Sequence, residues 1–224
     1  HTIGAIHKGR EMHAEIVRKG YEGNLFAHST LVDLYARCGS LQESQDVFDR
    51  LVVRDTVSWN VLMAGYAQMG QAKRAFELFN KMRGENIMPN LASFIILLYG
   101  CSHAGLMEEG HVVFHVVCAM YRPCSIEFYT CMIDLLGRAG DFDNARFVFD
   151  KMPFADYHPL LSTLLGACRT WVNVELGKSV FEEIIQLDKM CGAAYICMGN
   201  AYEAAGMHTD ACRIQTRRVK NKAC

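Results

Sequence analysis

A glycine returns along this 224-residue chain at nearly regular intervals. It stands at Gly39, Gly70, Gly105, Gly140 and Gly206, and the spacings are 31, 35, 35 and 66 residues. The longest spacing equals one short and one long interval together, so one landmark is missing and its place falls at Trp171. A period of 31 to 35 residues is typical of stacked-repeat proteins, in which each unit packs only on its neighbours.

Apolar residues on both sides of each landmark have the spacing of paired helices. Gly39 is placed to end one helix in the left-handed conformation, and Ser40 with Glu43 has the spacing of a capping box for the next. We expect inter-repeat core positions at Phe48, Phe79, Phe114 and Phe149. The pattern predicts an all-α fold, an α–α superhelix (solenoid) of helix-turn-helix repeats.

The composition is that of a folded chain long enough for about six helix pairs, with 51% hydrophobic and 21% charged residues. No apolar run approaches the ~18 residues of a membrane span, so we expect no membrane insertion. The ten cysteines lie mostly among large apolar neighbours, which favours free buried thiols over a disulfide framework. The chain begins within a repeat at His1, and we expect a C-terminal fragment of a longer protein.

The formal net charge of −1 argues against a protein that holds nucleic acid mainly by neutralising phosphates. The C-terminal tail is the exception, because five basic residues follow one another there without an intervening acid. They are Arg213, Arg217, Arg218, Lys220 and Lys222. Two interpretations remain open: a solvated face of the last helix, or a contact with phosphate or with a protein partner.

Four short motifs are specific: Val-Ser-Trp-Asn at 57–60, Cys-Ser-His-Ala-Gly at 101–105, Asp-Leu-Leu-Gly-Arg-Ala-Gly at 134–140 and Leu-Gly-Ala-Cys at 165–168. They resemble the pentatricopeptide repeats (PPR) of plant organelle RNA-binding proteins. The alternation of 31 and 35 residues resembles the PLS subclass, which mixes long and short repeats and is typical of RNA-editing specificity factors. The resemblance covers essentially the whole chain.

The resemblance implies a partial long repeat at 1–24, four repeats at 25–55, 56–90, 91–125 and 126–156, and two E-type extension motifs at 157–190 and 191–224. The aromatic and apolar residues of Tyr195-x2-Met198-Gly199-x2-Tyr202 match tetratricopeptide spacing. Because tetratricopeptide units usually bind protein, we predict a partner at 157–224, either a deaminase or an editing cofactor. The alternative is a capping pair without a ligand.

In this family each repeat presents one base to two side chains, the fifth residue of the first helix and the last residue of the repeat. Carried over, the pairs are Ser29 with Asp55, Asn60 with Asn90, and Thr130 with Asp156. The hydroxyl–carboxylate pairs should prefer guanine, whose pairing edge offers two adjacent donors. The two asparagines should prefer a pyrimidine, cytosine above uracil. Asp55 is also placed to be an ordinary helix N-cap.

The remaining positions complete the predicted RNA site. Ile95 and Ser125 hold the reader positions of the long repeat, and because Ile95 cannot hydrogen-bond, that unit should read little. The family polarity then predicts 5′-G-Y-N-G-3′ for residues 25–156. Phe26 and Val57 hold the second position of their repeats, where the family tends to sandwich a base, whereas Glu127 does not suit that role.

We predict no catalytic residue, no metal ligand and no cofactor in this chain, which is therefore not expected to be an enzyme. Zinc deaminases carry H-x-E followed by P-C-x-x-C. His13 and Glu15 match only the first half, and Cys124 has no second cysteine three positions later. His111 and His115 lack the glutamate of the metalloprotease motif and are predicted to be surface or packed histidines.

The sequence thus predicts single-stranded RNA binding in a plant mitochondrion or plastid, with C-to-U editing as the process and the deaminase supplied in trans. One alternative is a scaffolding subunit of an organellar ribosome or polymerase assembly that binds protein or folded RNA. Another is an enzyme whose catalytic domain lies outside this chain. Sequence-selective binding to a short single strand would separate the first two, and the C-terminal continuation would decide the third.

Overall fold

The computed structural model describes residues 2–21, 24–121, 125–152 and 158–221. These residues form thirteen α-helices and, within those ranges, no strand, so the predicted all-α fold is confirmed. The chain divides into two compact units, His1–Tyr121 and Arg122–Cys224. None of the described helices is both long and apolar enough to cross a membrane.

The first unit contains seven helices. They are α1 (Thr2–Arg18), α2 (Leu25–Arg37), α3 (Leu41–Asp49), α4 (Thr56–Gln68), α5 (Ala72–Gly84), α6 (Leu91–Ala104) and α7 (Met107–Met120). After α1, consecutive helices pair as the hairpins α2–α3, α4–α5 and α6–α7. The first helices of the hairpins, α2, α4 and α6, pack on one another and form the continuous layer of the stack.

The second unit contains three further hairpins. Their helices are α8 (Ile126–Ala139), α9 (Phe142–Asp150), α10 (His158–Thr170), α11 (Val174–Leu187), α12 (Gly192–Ala204) and α13 (His208–Lys220). Again the first helices, α8, α10 and α12, pack side by side, and α11 also contacts α12. Each unit therefore repeats one helix-turn-helix element, as the glycine period predicts.

The landmark glycines close the first helix of their hairpins. All five have a left-handed φ: Gly39 78°, Gly70 71°, Gly105 68°, Gly140 77° and Gly206 72°. The prediction that Trp171 takes the missing place is wrong by one residue, because Val172 has the left-handed φ of 55°. The amide of Asn173 donates to the Cys168 carbonyl oxygen at 2.8 Å, and the residue after every landmark glycine donates to the carbonyl five positions back in the same way. The closing hydrogen bond is thus kept although a β-branched residue rarely adopts this conformation.

One predicted helix cap in the first unit is not formed. Ser40 does not form a capping box with Glu43; its hydroxyl donates to the Glu43 carboxylate, which also accepts from Arg10 Nε at 2.8 Å. The carboxylate is held away from the helix end because it bridges these two donors. Capping boxes occur instead at the starts of α4 and α6, where Asp55 and Asn90 are each closed by the serine three residues later.

The predicted phenylalanine positions lie in or against the core. Phe48, Phe79 and Phe149 are buried and Phe114 is half-buried. Where α2 and α4 cross, a Cβ atom on Gly65 would stand only 2.5 Å from the Ala36 Cβ. This close approach requires glycine, and it brings the first helices of neighbouring repeats nearly backbone to backbone.

Candidate nucleic-acid interface

The two predicted base-reading residues of the repeat at 56–90 meet in the first unit. Asn60 lies in the second turn of α4, and Asn90 is the N-cap of α6. Because α4 packs on α6, the Nδ2 atom of Asn60 comes within 3.1 Å of the Oδ1 atom of Asn90 and donates to it. Asn90 is exposed and Asn60 is half-buried, so the two amides reach the surface together.

Ser93 is the third member of this group. Its Oγ atom donates to Asn60 Oδ1 at 2.7 Å, and its backbone N–H donates to Asn90 Oδ1 at 3.1 Å. The hydroxyl also lies 3.2 Å from Asn90 Oδ1, but its single proton goes to the shorter contact. We call Asn60, Asn90 and Ser93 the amide cluster. Sequence reasoning missed Ser93, although an Asn-x-x-Ser spacing at a helix start was the available signal.

The predicted pair Ser29 and Asp55 is not joined in the same way. Asp55 is the N-cap of α4, and its Oδ1 atom accepts from the Ser58 backbone N–H at 2.8 Å. No hydrogen bond links Ser29 to Asp55 within the described residues, because a serine at this position is shorter than the asparagine of the next repeat. The N-cap role of Asp55 is confirmed, and its base-reading role stays a prediction.

The predicted pair Thr130 and Asp156 is described only in part, since Asp156 lies outside the described residues. Thr130 on α8 donates its hydroxyl proton to the Ile126 carbonyl oxygen at 2.9 Å. The hydroxyl oxygen can then only accept, which suits a base that offers donors, as guanine does. In the long repeat, Ile95 is half-buried on α6 and Ser125 is the N-cap of α8.

The two predicted base-sandwiching residues are exposed in the first turns of their helices. The exposed fraction is 82% for Phe26 at the start of α2 and 57% for Val57 at the start of α4. An exposed aromatic ring offers a flat apolar face on which a base can stack. Val57 lies three positions before Asn60, so both are on the same side of α4.

Comparison with known protein families identifies the type of repeat. A profile of the PPR repeat family matches residues 54–103, and a profile of the PPR repeat matches residues 26–55 and 127–155. The chain carries pentatricopeptide repeats. The amide cluster lies within the first of these matched ranges.

Curated relatives with PPR repeats match nearly all of this chain. The chloroplastic pentatricopeptide repeat-containing protein DOT4 of Arabidopsis thaliana is 36% identical over 220 residues, which are 96% of this chain and 25% of DOT4. A mitochondrial pentatricopeptide repeat-containing protein of the same plant is 32% identical over 210 residues, 92% of this chain and 37% of its own length. The chain thus spans between a quarter and just over a third of the length of these relatives.

Solved structures show the same fold. The PPR protein PPR10 from maize superposes with a TM-score of 0.72 at 21% identity, covering 89% of this chain and 30% of PPR10. PPR10 in complex with an 18-nt psaJ RNA element gives a TM-score of 0.57 at 14% identity, covering 94% of this chain and 37% of PPR10.

In the second unit, one basic residue of the tail supports the hairpin stack that follows the last matched PPR repeat. Arg217 Nη2 donates to Glu182 Oε2 at 2.9 Å, and its guanidinium lies 5.5 Å from the centre of the Phe181 ring. These contacts join α13 to α11, and the Arg217–Glu182 pair is bidentate. Arg217 is therefore engaged within the protein, and a phosphate would have to compete with Glu182 for it.

The other basic residues of the tail are placed differently. Arg213 pairs with Asp210 at 3.1 Å on the surface of α13, Arg218 is half-buried and Lys220 is exposed. Lys222 lies outside the described residues. An exposed pair of this kind contributes little stability, so Arg213 can exchange Asp210 for an external contact. Lys220 can take part in such a contact because it is exposed.

Of the cysteines that the structure describes, Cys101 and Cys168 are buried, Cys212 is exposed and the others are half-buried. The eight within the described ranges are free thiols. Burial raises the pKa of the Cys101 and Cys168 thiols to about 12 and that of Cys131 to about 11. These three stay protonated at neutral pH, which is the state of a packing group and not that of a nucleophile.

One group of side chains has the spacing to hold a metal ion, although no metal ligand is predicted from the sequence. His158 at the start of α10 and Asp188 and Cys191 between α11 and α12 bring one ligand atom each to within 4.8 Å of one another. Sequence reasoning missed it because the hairpin stack, and not the local spacing, brings His158 close to the other two. Three partly exposed ligands are one fewer than a structural zinc site uses.

An apolar groove opens between α5, α6 and α7 of the first unit. It encloses about 610 Å³. Val112 and Met120 on its wall are each 63% exposed. The predicted base-reading residues are not among the residues that line this groove.

Proposed function

We propose that this protein binds single-stranded RNA and selects its site by reading one base per PPR repeat. The amide cluster supports the proposal most directly. Side chains 30 positions apart, at the reader positions of one repeat, are hydrogen-bonded to each other at the surface. Amide groups placed in this way can contact the pairing edge of an unstacked base.

The surroundings of the amide cluster fit the same function. Val57 provides an apolar surface three positions before Asn60, and Phe26 provides an aromatic one in the preceding repeat. Stacking on such side chains and hydrogen bonding to base edges do not depend on a large positive charge, which agrees with the net charge of −1. PPR10, which shares the fold, has been solved with an RNA element bound.

Replacing Phe26 by alanine is expected to weaken RNA binding. Loss of base–aromatic stacking typically costs about 1–3 kcal/mol per base, so the Kd for a short strand carrying 5′-GCAG-3′ should rise about fivefold or more. Fluorescence anisotropy with a labelled strand measures the change. Phe147→Ala is the matched control, because Phe147 is also exposed, at 60%, but lies on α9, a second helix of its hairpin. An equal loss in both variants, or none in Phe26→Ala, would contradict the proposal.

We further propose that the RNA is an organellar transcript and that binding marks a cytidine for conversion to uridine. The similarity to the PLS subclass with E-type extension motifs supports editing, and the chloroplastic and mitochondrial relatives support a plastid or a mitochondrion. The TPR-like hairpins at 157–224 would recruit a deaminase or an editing cofactor in trans. In this role the chain recognises the site and does not itself catalyse the reaction.

In plants that lack the protein, we expect one or a few organellar cytidines to remain unconverted. Sequencing of chloroplast and mitochondrial transcripts measures this directly, and reintroducing the gene should restore conversion. The affected sites should share a G-Y-N-G stretch at a constant distance from the edited base. Full editing at every site, together with a change in the assembly of the organellar ribosome or polymerase, would support the scaffolding alternative.

The apolar groove of the first unit favours that alternative for one part of the molecule. Its exposed valine and methionine side chains suit an apolar segment of another protein. A scaffolding subunit would bind short RNAs equally and in a salt-sensitive manner, whereas a site-recognition factor distinguishes them by sequence.

A further inference from the structure

The amide cluster leaves only some of its polar atoms available to a ligand. Asn90 Oδ1 accepts two hydrogen bonds, from Asn60 Nδ2 at 3.1 Å and from the Ser93 backbone N–H at 3.1 Å. A carbonyl oxygen has two lone pairs, so both are occupied. What Asn90 can still offer to a ligand is its Nδ2 group, which carries two N–H donors.

The orientation of the Asn60 amide depends on Ser93. An asparagine side chain can be turned over, exchanging its oxygen and nitrogen, unless its neighbours distinguish the two. Here the Ser93 hydroxyl donates to Asn60 Oδ1 at 2.7 Å, and this bond points Asn60 Nδ2 towards Asn90 Oδ1. Ser93 is fully buried and also accepts from the Asn90 backbone N–H at 3.1 Å, so its own position is fixed.

The two pyrimidines differ in what they present to Asn90. The pairing edge of cytosine has neighbouring acceptors at N3 and O2, whereas uracil has a donor at N3. A group that offers only N–H donors therefore matches cytosine and opposes the uracil N3–H. If the Asn60 amide were turned over, its oxygen would face Asn90 Oδ1. Asn90 would then have to turn as well and give up the cap hydrogen bond from the Ser93 backbone N–H; it would present its oxygen, and uracil would be accepted.

We infer that Ser93 is a specificity-determining positioning residue: its hydroxyl fixes the Asn60 amide, and through it Asn90, in the orientation that selects cytosine over uracil. The inference rests on the proposed RNA-binding function and adds a third residue, from the following repeat, to the pair that faces the base. Ser93 does not itself touch the base. Its hydroxyl acts by disfavouring the second orientation of the amides that do, in addition to the cap hydrogen bond that Asn90 accepts from the Ser93 backbone N–H.

The preceding repeat supplies a matched comparison. Ser58 is likewise fully buried and closes the capping box of Asp55, but its hydroxyl donates to the Asp55 carbonyl oxygen at 2.9 Å. No hydrogen bond joins Ser58 to Ser29 within the described residues. Alanine at Ser58 thus removes the same hydroxyl and the same capping contact as alanine at Ser93, without releasing a base-reading amide.

The test compares the 224-residue chain with its Ser93→Ala and Ser58→Ala variants. The probes are two adenine-flanked RNA strands, 5′-GCAG-3′ and 5′-GUAG-3′, which differ only at the base predicted to face Asn60 and Asn90. The measured quantity is the ratio of the two Kd values from anisotropy titrations. Losing one net hydrogen bond should lower the preference for cytosine about threefold to tenfold in Ser93→Ala. Ser58→Ala should keep the original ratio, and Ser93→Thr, which restores the hydroxyl, should recover it.

Each result has a separate meaning. If the unmodified chain does not distinguish the two strands, the proposed base reading fails, and this inference with it. If the unmodified chain prefers cytosine and Ser93→Ala keeps that preference, base reading stands and the role of Ser93 is overturned. A fall in total affinity with an unchanged ratio also overturns it, because that pattern indicates a cap that only stabilises α6. Circular dichroism confirms that each variant is folded before it is titrated.

Discussion

Asn90→Asp is expected to reverse the base preference at the amide cluster, from cytosine to uracil. A carboxylate only accepts hydrogen bonds, so at position 90 it matches the uracil N3–H and opposes the unprotonated N3 of cytosine. A mismatched base contact of this kind costs about 1–3 kcal/mol, so the ratio of the two Kd values should move by about tenfold or more. Asp is as good an N-cap as Asn, and Asp55 already caps α4, so α6 should keep its start.

The measurement is the same pair of titrations with strands that differ only at the facing base. Asn86→Asp is the matched control, since Asn86 is exposed, lies before the same helix and gains the same charge away from the amide cluster. Both variants should bind all RNA slightly more weakly because of the added negative charge. Only Asn90→Asp should bind the uracil strand more tightly than the cytosine strand. Equal, salt-sensitive binding of both strands by every variant would contradict base reading altogether.

The helical stack could be predicted from the sequence because its signal is repeated. A glycine that closes a helix in the left-handed conformation leaves the same mark in every unit, and five such marks fix a period. The exception at Val172 could not be predicted in this way. There the closing hydrogen bond from Asn173 to Cys168 persists without the residue that usually allows it, and it offsets part of the cost of the conformation.

The candidate site was predictable only as far as single positions. The pair Asn60 and Asn90 followed from the register of the repeats, and the structure joins them. The part played by Ser93 depends on where one hydroxyl proton goes, and this is set by the distance between α4 and α6, which no spacing in the sequence gives. Ser40 shows the opposite case, because a capping-box spacing is present but Arg10 draws the Glu43 carboxylate away.

Trp59→Ala is expected to destabilise the first unit more than any other single change proposed for this chain. Trp59 has no exposed surface, and its ring lies edge-on to Phe48 with centroids 4.7 Å apart. The Arg54 guanidinium lies 5.9 Å from the indole and pairs with Glu85 at 3.2 Å. The ring therefore packs against a residue that precedes α4 and that is itself paired with the end of α5. Removing a buried indole leaves a large cavity and should cost about 3–5 kcal/mol.

Urea unfolding followed by far-UV circular dichroism measures this loss, and the other tryptophan of the chain is the control. Trp171 is 53% exposed, so Trp171→Ala should change stability by less than about 1 kcal/mol. Trp59→Phe should lie between the two, because the indole N–H makes no hydrogen bond within the described residues and a phenyl ring keeps most of the contacts with Phe48. If Trp59→Phe were as costly as Trp59→Ala, ring packing would not be the source of the stability. If Trp59→Ala were as mild as Trp171→Ala, burial of the indole would not be a main source of the stability of the first unit.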